Sequence, residues 1–276
     1  MKKIILYFML LALTSLTACD PVESRETLDG AITAEQLNIS ATPIVVNGKN
    51  SNKVILKNNS PVLSWWNYGT GTTQMQTDTV LLVLKGENSI TFTGQNGDGS
   101  QISKTITVNV EELSFPVPPE WGYLCGSGSK TWVWDETAPS VWGNGGYKND
   151  KAPAWWTLKI GDINGQAANE GTGASMDFSI SGAAFTKLKS DGSSEKGSFA
   201  LLMTSVTLDD NGNVWAKGKL KTKGTTVLCG KSPNEGGAPV YEYDILILND
   251  NKMILSYPEP GVGSGGTAWF WVFRAK

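Results

Sequence analysis

The sequence predicts an all-β protein of two units, an N-terminal sandwich and a larger C-terminal β domain. Three observations carry that expectation. Short β-branched and aromatic runs recur along the whole chain between Gly, Asn and Asp turn signals. No segment sustains the 3.6-residue apolar period of an amphipathic helix. A Pro-rich stretch at 113–119, Ser114-Phe-Pro116-Val-Pro118-Pro119, separates parts of different composition and biases the backbone to an extended, semi-rigid hinge.

The chain begins with Met1-Lys2-Lys3 and an apolar run over 4–16 broken only by Thr14 and Ser15. That run falls short of the ~20 apolar residues needed to span a bilayer and reads as a secretory signal over 1–18. Leu16-Thr17-Ala18-Cys19 resembles a bacterial lipobox. The resemblance implies cleavage before Cys19, with lipidation of its thiol and its new amine. Acyl chains contribute ~0.8 kcal/mol per buried CH₂, and more than one gives stable anchoring. The membrane is thus an expected partner through an N-terminal lipid, and the outer membrane, at the cell surface, the expected location. Residues 19–35, with Asp20, Glu23, Glu26, Asp29 and Glu35, read as an acidic spacer between lipid and fold.

Composition removes several function classes. The chain has 23 Lys and Arg against 26 Asp and Glu, and two of the basic residues, Lys2 and Lys3, fall in the leader. A net negative chain without a basic cluster is not built for nucleic acid. There is no histidine, which excludes Ser-His-Asp and Cys-His catalysis and His-ligated zinc. Beyond Cys19 only Cys125 and Cys229 remain, too few for a thiolate cluster. In an exported chain those two can join as a disulfide; a pair of buried free thiols is the equal alternative. Asp209-Asp-Asn-Gly-Asn213 has its glycine too early for a calcium loop and no acid at the twelfth position, so it reads as a turn. No metal and no cofactor is expected.

Residues 36–112 read as one small β-sandwich, with strands over 37–41, 53–56, 62–65, 80–84, 89–93 and 105–110. Asn96-Gly97-Asp98-Gly99 marks a hairpin turn. Trp66-Asn67-Tyr68-Gly69-Thr70-Gly71 resembles the Trp-Asp-Phe-Gly-Asp-Gly signature of PKD domains, with Asn67 and Thr70 in place of the usual aspartates. Residues 90–93 and 106–108 around the turn resemble the final hairpin of that family. The resemblance implies an Ig-like sandwich acting as a spacer or protein contact. It places Trp65 and Trp66 in the core and at its corner.

Residues 120–276 form the larger domain. Strands are expected over 131–135, 155–160, 174–179, 183–189, 197–205, 214–221, 225–229, 240–248, 253–257 and 267–273. Ten or so antiparallel strands point to a jelly-roll-like β-sandwich, with a lipocalin-like barrel as the alternative. Six of the chain's eleven tryptophans lie between Trp121 and Trp156, interleaved with Gly, Asn, Asp and Lys. Each indole can bury roughly 150–250 Å², so most of the six are expected in a core and two or three on a binding face.

The order Lys130-Thr-Trp132-Val-Trp134-Asp135, Gly143-Asn-Gly-Gly-Tyr147, Trp155-Trp156, Met176-Asp-Phe178 and a closing aromatic strand resembles the C-terminal β domains of Bacteroidetes surface lipoproteins. Many of these belong to polysaccharide-utilisation systems, and some have been called glycoside-hydrolase-like. The resemblance implies a polysaccharide or oligosaccharide ligand and leaves room for an outer-membrane transporter as partner.

Two function classes follow. In the first, a non-catalytic surface protein binds glycan through Trp134, Trp142, Tyr147 and one member of the Trp155-Trp156 pair. In that reading Asp135 accepts a hydrogen bond from a sugar hydroxyl, and Gly143 to Gly146 let the backbone approach the ring. The alternative is a glycoside hydrolase using paired carboxylates, drawn from Asp135-Glu136, Asp177 and Glu242-x-Asp244, or else a structural or adhesion lipoprotein. No catalytic residue is assigned, because Leu246 and Ile247 stand where the last acid of the jelly-roll glucanase signature would be. A barrel would carry a lipid or retinoid-like ligand instead.

Overall fold

The computed structural model describes residues 30–276. Cys19, the leader over 1–18 and most of the acidic spacer lie outside the described residues. The end of the spacer is fastened: the Asn96 side chain accepts from Ile32 N at 3.1 Å and donates to Ile32 O at 3.2 Å.

The N-terminal unit is two facing sheets. One runs β1 (Ile39–Val46), β2 (Lys49–Asn58), β5 (Thr77–Leu81). The other has the order β4-β3-β6-β7, formed by β3 (Leu63–Asn67), β4 (Thr72–Thr73), β6 (Gly86–Gln95) and β7 (Gln101–Val110). Strand alternation turns Val54, Leu56 and Val80 of the first sheet toward Trp66, Ile90, Phe92, Val108 and Val110 of the second. The Trp66 ring meets Phe92 edge-on at 4.6 Å. Its neighbour Trp65 points the other way and is 49% exposed, so the expectation that both indoles serve core and corner holds for one alone.

The Pro-rich stretch is held rather than free. Asn52 is fully buried; its amide donates to Leu82 O and Phe115 O at 3.1 and 3.0 Å and accepts from Phe115 N at 2.9 Å. Val83 and Val117 pack into the core of the second domain. Replacing Asn52 by Ala leaves these backbone groups unpaired, at ~1–3 kcal/mol for a buried group. Limited proteolysis is expected to spare residues 113–119 in the native protein and to cut there in Asn52→Ala. Equal cleavage of both would contradict the pinning.

The C-terminal unit corrects the jelly-roll expectation. Eight strands run β8 (Ser129–Trp134), β11 (Ser175–Ser179), β12 (Ala184–Leu188), β13 (Ser194–Leu202), β16 (Lys219–Lys223), β19 (Glu242–Leu248), β20 (Lys252–Pro258) and β21 (Thr267–Ala275), each antiparallel to the next. The last strand then returns to the first through Phe273↔Trp134, Arg274↔Val133 and Ala275↔Trp132. The ring closes as an up-and-down barrel, the form of the alternative reading. Alternation looks the same in a barrel and in a sandwich, and only this pairing of the two chain-distant strands decides between them.

Three excursions leave the ring. β9 (Trp142–Gly146) pairs with the first half of β21, and β10 (Trp156–Leu158) pairs with β9 as an edge strand. β14 (Thr207–Leu208) with β15 (Val214–Ala216), and β17 (Lys231–Ser232) with β18 (Ala238–Pro239), are short hairpins. Trp215 of β15 joins Leu246, Ile254, Phe270 and Val272 in a satellite core on the outside of the barrel wall.

Aromatic side chains fill the barrel: Trp132, Trp134, Phe178, Phe185, Tyr243, Trp271 and Phe273 are all essentially inaccessible. One end is stoppered by α1 (Pro119–Cys125), which starts on a proline well suited to a first helical turn. Trp121 of α1 packs on Phe199 at 5.4 Å, and the Trp132 indole donates to Leu124 O at 2.8 Å. At the other end Trp134 donates to Glu170 O at 2.7 Å and Trp271 to Cys229 O at 3.1 Å. An interior packed in this way holds no lipid or retinoid-like ligand.

Cys125 and Cys229 are free and buried, which removes the disulfide alternative. Burial pushes each thiol up to about 12, so neither forms the reactive thiolate near neutrality. Alkylation with iodoacetamide at pH 8 is expected to leave both unmodified until the protein is denatured; labelling of the native protein would contradict their placement.

Candidate functional site

The six clustered tryptophans divide sharply. Trp121 is nearly buried, and Trp132, Trp134 and Trp142 are fully so, whereas Trp155 is 56% and Trp156 41% exposed. The glycines of β9 explain how the exposed pair is seated. A Cβ on Gly143 would lie 2.0 Å from the Trp156 carbonyl oxygen, and one on Gly146 would lie 3.4 Å from Cζ2 of Trp155. Asn144 completes the mount: its backbone oxygen accepts from Ala154 N and Trp155 N at 2.9 and 3.0 Å, and its side chain accepts from Trp156 N at 2.9 Å. The glycines therefore admit the protein's own edge strand, where the sequence had them approaching a sugar.

Behind the pair is a stack of indoles. Trp142 lies on Trp269 at 5.2 Å with 24° between planes and tilts against Trp271 at 6.5 Å. Trp156 meets Trp142 and Trp269 edge-on at 5.6 and 6.0 Å, and Trp269 donates to Glu259 at 3.2 Å. Offset and edge-to-face geometries suit the ring quadrupoles. The result is an aromatic edge: two rings partly in solvent, one of which, Trp156, is backed by two that are not.

Several expected site residues lie elsewhere. Trp134 belongs to the barrel interior and packs on Phe273 at 4.6 Å. Trp142 supports the edge without reaching solvent. Tyr147 packs edge-on against Trp215 at 5.1 Å in the satellite core, where burial, then Asp244, raises its pKa against the pull of Lys219. Asp135 is buried and accepts from Thr137 N and Oγ1 at 3.2 and 2.6 Å, which makes it a turn-former. Of the expected binding residues, Trp155 and Trp156 remain. Both are exposed, where one was expected to turn inward, because Trp155 precedes the strand and Trp156 sits on an edge with no further partner.

Comparison with known proteins adds little. The chain matches no protein-family model, and no curated protein is detectably similar. Among solved structures, one titled for the carbohydrate-binding modules from the beta-sandwich super family aligns over 87% of this chain and 90% of its own, at 12% identity. Its TM-score is 0.21. Agreement that low does not establish a shared fold.

The carboxylates weighed for hydrolysis are engaged in structural pairs. Glu136 meets Arg274 at 3.3 Å, and Asp177 accepts from Thr131. Glu242 binds Lys219 and Lys221 at 2.8 and 2.7 Å. Those lysines, by hydrogen bond and then by charge, outweigh burial and hold its carboxyl below the usual range. Asp244 lies beneath, 3.7 Å from Lys219, with its pKa raised chiefly by burial. Among the described residues no group of three or more His, Cys, Asp or Glu could hold a metal ion.

Proposed function

We propose that this chain is a non-catalytic glycan-binding protein, exported and held at the outer membrane by lipid on Cys19, with the Trp155-Trp156 edge of the barrel as its binding surface. The observation that carries the reading is the exposure of those two indoles at 56% and 41%, with Trp156 on an edge strand and backed by Trp142 and Trp269. A sugar ring has one face of C–H groups that stacks on indole, while its hydroxyls need water or amide partners. Stacking contributes ~0.5–1.5 kcal/mol beyond area burial, so two such contacts suit affinities of roughly micromolar to millimolar. The filled barrel argues against the lipid-carrier reading, and the pairing of Glu136 with Arg274 and of Glu242 with Lys219 and Lys221 favours binding over hydrolysis.

The test is a glycan-array screen of the full chain in detergent, set beside the Trp155→Ala/Trp156→Ala variant. Hits with the native protein that vanish in the variant support the reading. An empty array, or hits that survive in the variant, contradicts it.

A further inference from the structure

We infer a second glycan site, on the outer face of the sandwich and selective for neutral polysaccharide. It extends the glycan reading from the barrel to a different surface and is tested by different residues. Trp65 and Leu63 stand on the outer side of β3, 49% and 72% exposed. They share one wall of a cleft of about 410 Å³ with Gln74, Thr93, Gln95 and Gln101. A second cleft of about 610 Å³ continues from it through Leu63, Ser64, Gln74 and Gln95, and adds Gln76.

Register makes this a built surface. Leu63 pairs with Gln95, which pairs with Gln101, and Trp65 pairs with Thr93, which pairs with Ser103. Each row therefore crosses three strands spaced ~4.8 Å apart, one row headed by an aliphatic side chain and the next by an indole. The outer sheet face between them is a surface across which a polysaccharide chain can lie.

The composition of the lining names the ligand class. The whole chain has six glutamines, and four of them, Gln74, Gln76, Gln95 and Gln101, line these two clefts. Each primary amide offers two donors and an acceptor, which matches the mixed donor and acceptor character of sugar hydroxyls. None of the four side chains makes a hydrogen bond to another group among the described residues, so the amides are free to turn to a ligand. No charged side chain lines either cleft. A uronate or sulfate would find no counter-charge there, whereas an uncharged glycan loses nothing by its absence. Trp65 supplies the stacking face and the amides the hydrogen bonds.

The experiment is affinity electrophoresis of the full chain in detergent, through gels holding hydroxyethylcellulose, dextran or soluble starch as neutral probes and polygalacturonate or chondroitin sulfate as charged ones. Retardation is expected on at least one neutral gel and on neither charged gel. Trp65→Ala is expected to weaken it roughly tenfold, Gln95→Ala/Gln101→Ala several-fold, both with native melting temperature. Native retardation of Trp65→Ala on every neutral gel overturns the site, as does a preference for the charged probes or no retardation on any neutral gel. Should Trp65→Ala unfold, the Gln95→Ala/Gln101→Ala variant decides, and its native behaviour overturns the site. Loss on Trp155→Ala/Trp156→Ala with no loss on Trp65→Ala leaves the barrel reading standing and ends this one; the reverse result does the opposite.

Discussion

Glu170→Ala is expected to lower the stability of the barrel by ~3–5 kcal/mol, the range for removing one partner of a buried ion pair. Glu170 and Lys187 have side chains 8% and 4% exposed and meet at 2.8 Å. Lys187 is buried on the same side of β12 as Phe185, in the barrel wall. The other Glu170 oxygen accepts from Cys229 N at 2.6 Å, and its backbone oxygen accepts from Trp134. The truncation therefore strands the Cys229 amide, leaves Lys187 with Glu195 at 3.1 Å as its one remaining carboxylate, and loosens the segment that closes this end. For a domain of this size the expected fall in melting temperature is roughly 6–20 °C. Glu170→Leu/Lys187→Met is expected to cost less than Glu170→Ala alone, because it removes both charges. If Glu170→Ala melts like the native protein, the pair is not buried as described.

The same cluster sets an acid limit. Burial works to raise the Glu195 pKa, but hydrogen bonds from Lys189, Thr225 and Lys187 outweigh it and hold the carboxyl at about 2. A depressed carboxyl contributes stability that is present above its unfolded value, about 4.5, and is lost as pH falls through the folded value. Acid destabilisation between those limits should be shallower in Glu195→Gln.

Trp134→Ala is the second large effect, expected at ~3–5 kcal/mol. The indole is fully buried, its ring packs on Phe273 at 4.6 Å, and its N–H is committed to Glu170 O. Truncation leaves a cavity beside an unpaired carbonyl in the wall where β8 meets β21, the pairing that closes the barrel. Trp155→Ala, on a ring largely in solvent, is expected within ~0.5 kcal/mol of native. Thermal melts of the two variants separate core from surface indoles. A Trp134→Ala protein as stable as Trp155→Ala would contradict the fold.

How much of this was legible in the sequence can be read from the tryptophans. The all-β class and the expectation of two or three exposed rings among six both rest on local pattern, and both describe the structure. Closure of the barrel does not, because it depends on Phe273–Ala275 finding Trp132–Trp134 across about 140 residues, and alternation is indifferent to that. Trp142 resembles a ligand residue because it is followed by Gly143-Asn144-Gly145-Gly146, yet Gly143 serves to seat β10 against β9, and Trp134 is buried in the barrel interior. Asp135 looked like a sugar acceptor, but Thr137 two residues on makes a turn of it. The pair Trp65-Trp66 carries a readable signal: neighbours on a strand face opposite sides, so one of the two points outward. The glutamines beside it are also visible, but only the register of β4, β3, β6 and β7 brings Gln74, Gln95 and Gln101 together.

Calorimetric titration of a soluble neutral polysaccharide identified on the array into the full native chain, and into Trp155→Ala/Trp156→Ala, tests the central claim most directly. The account predicts saturable binding that weakens at least tenfold in the variant, while both proteins melt within a degree or two of each other. Binding unchanged in a folded Trp155→Ala/Trp156→Ala protein would show that the aromatic edge of the barrel is not where the glycan lies.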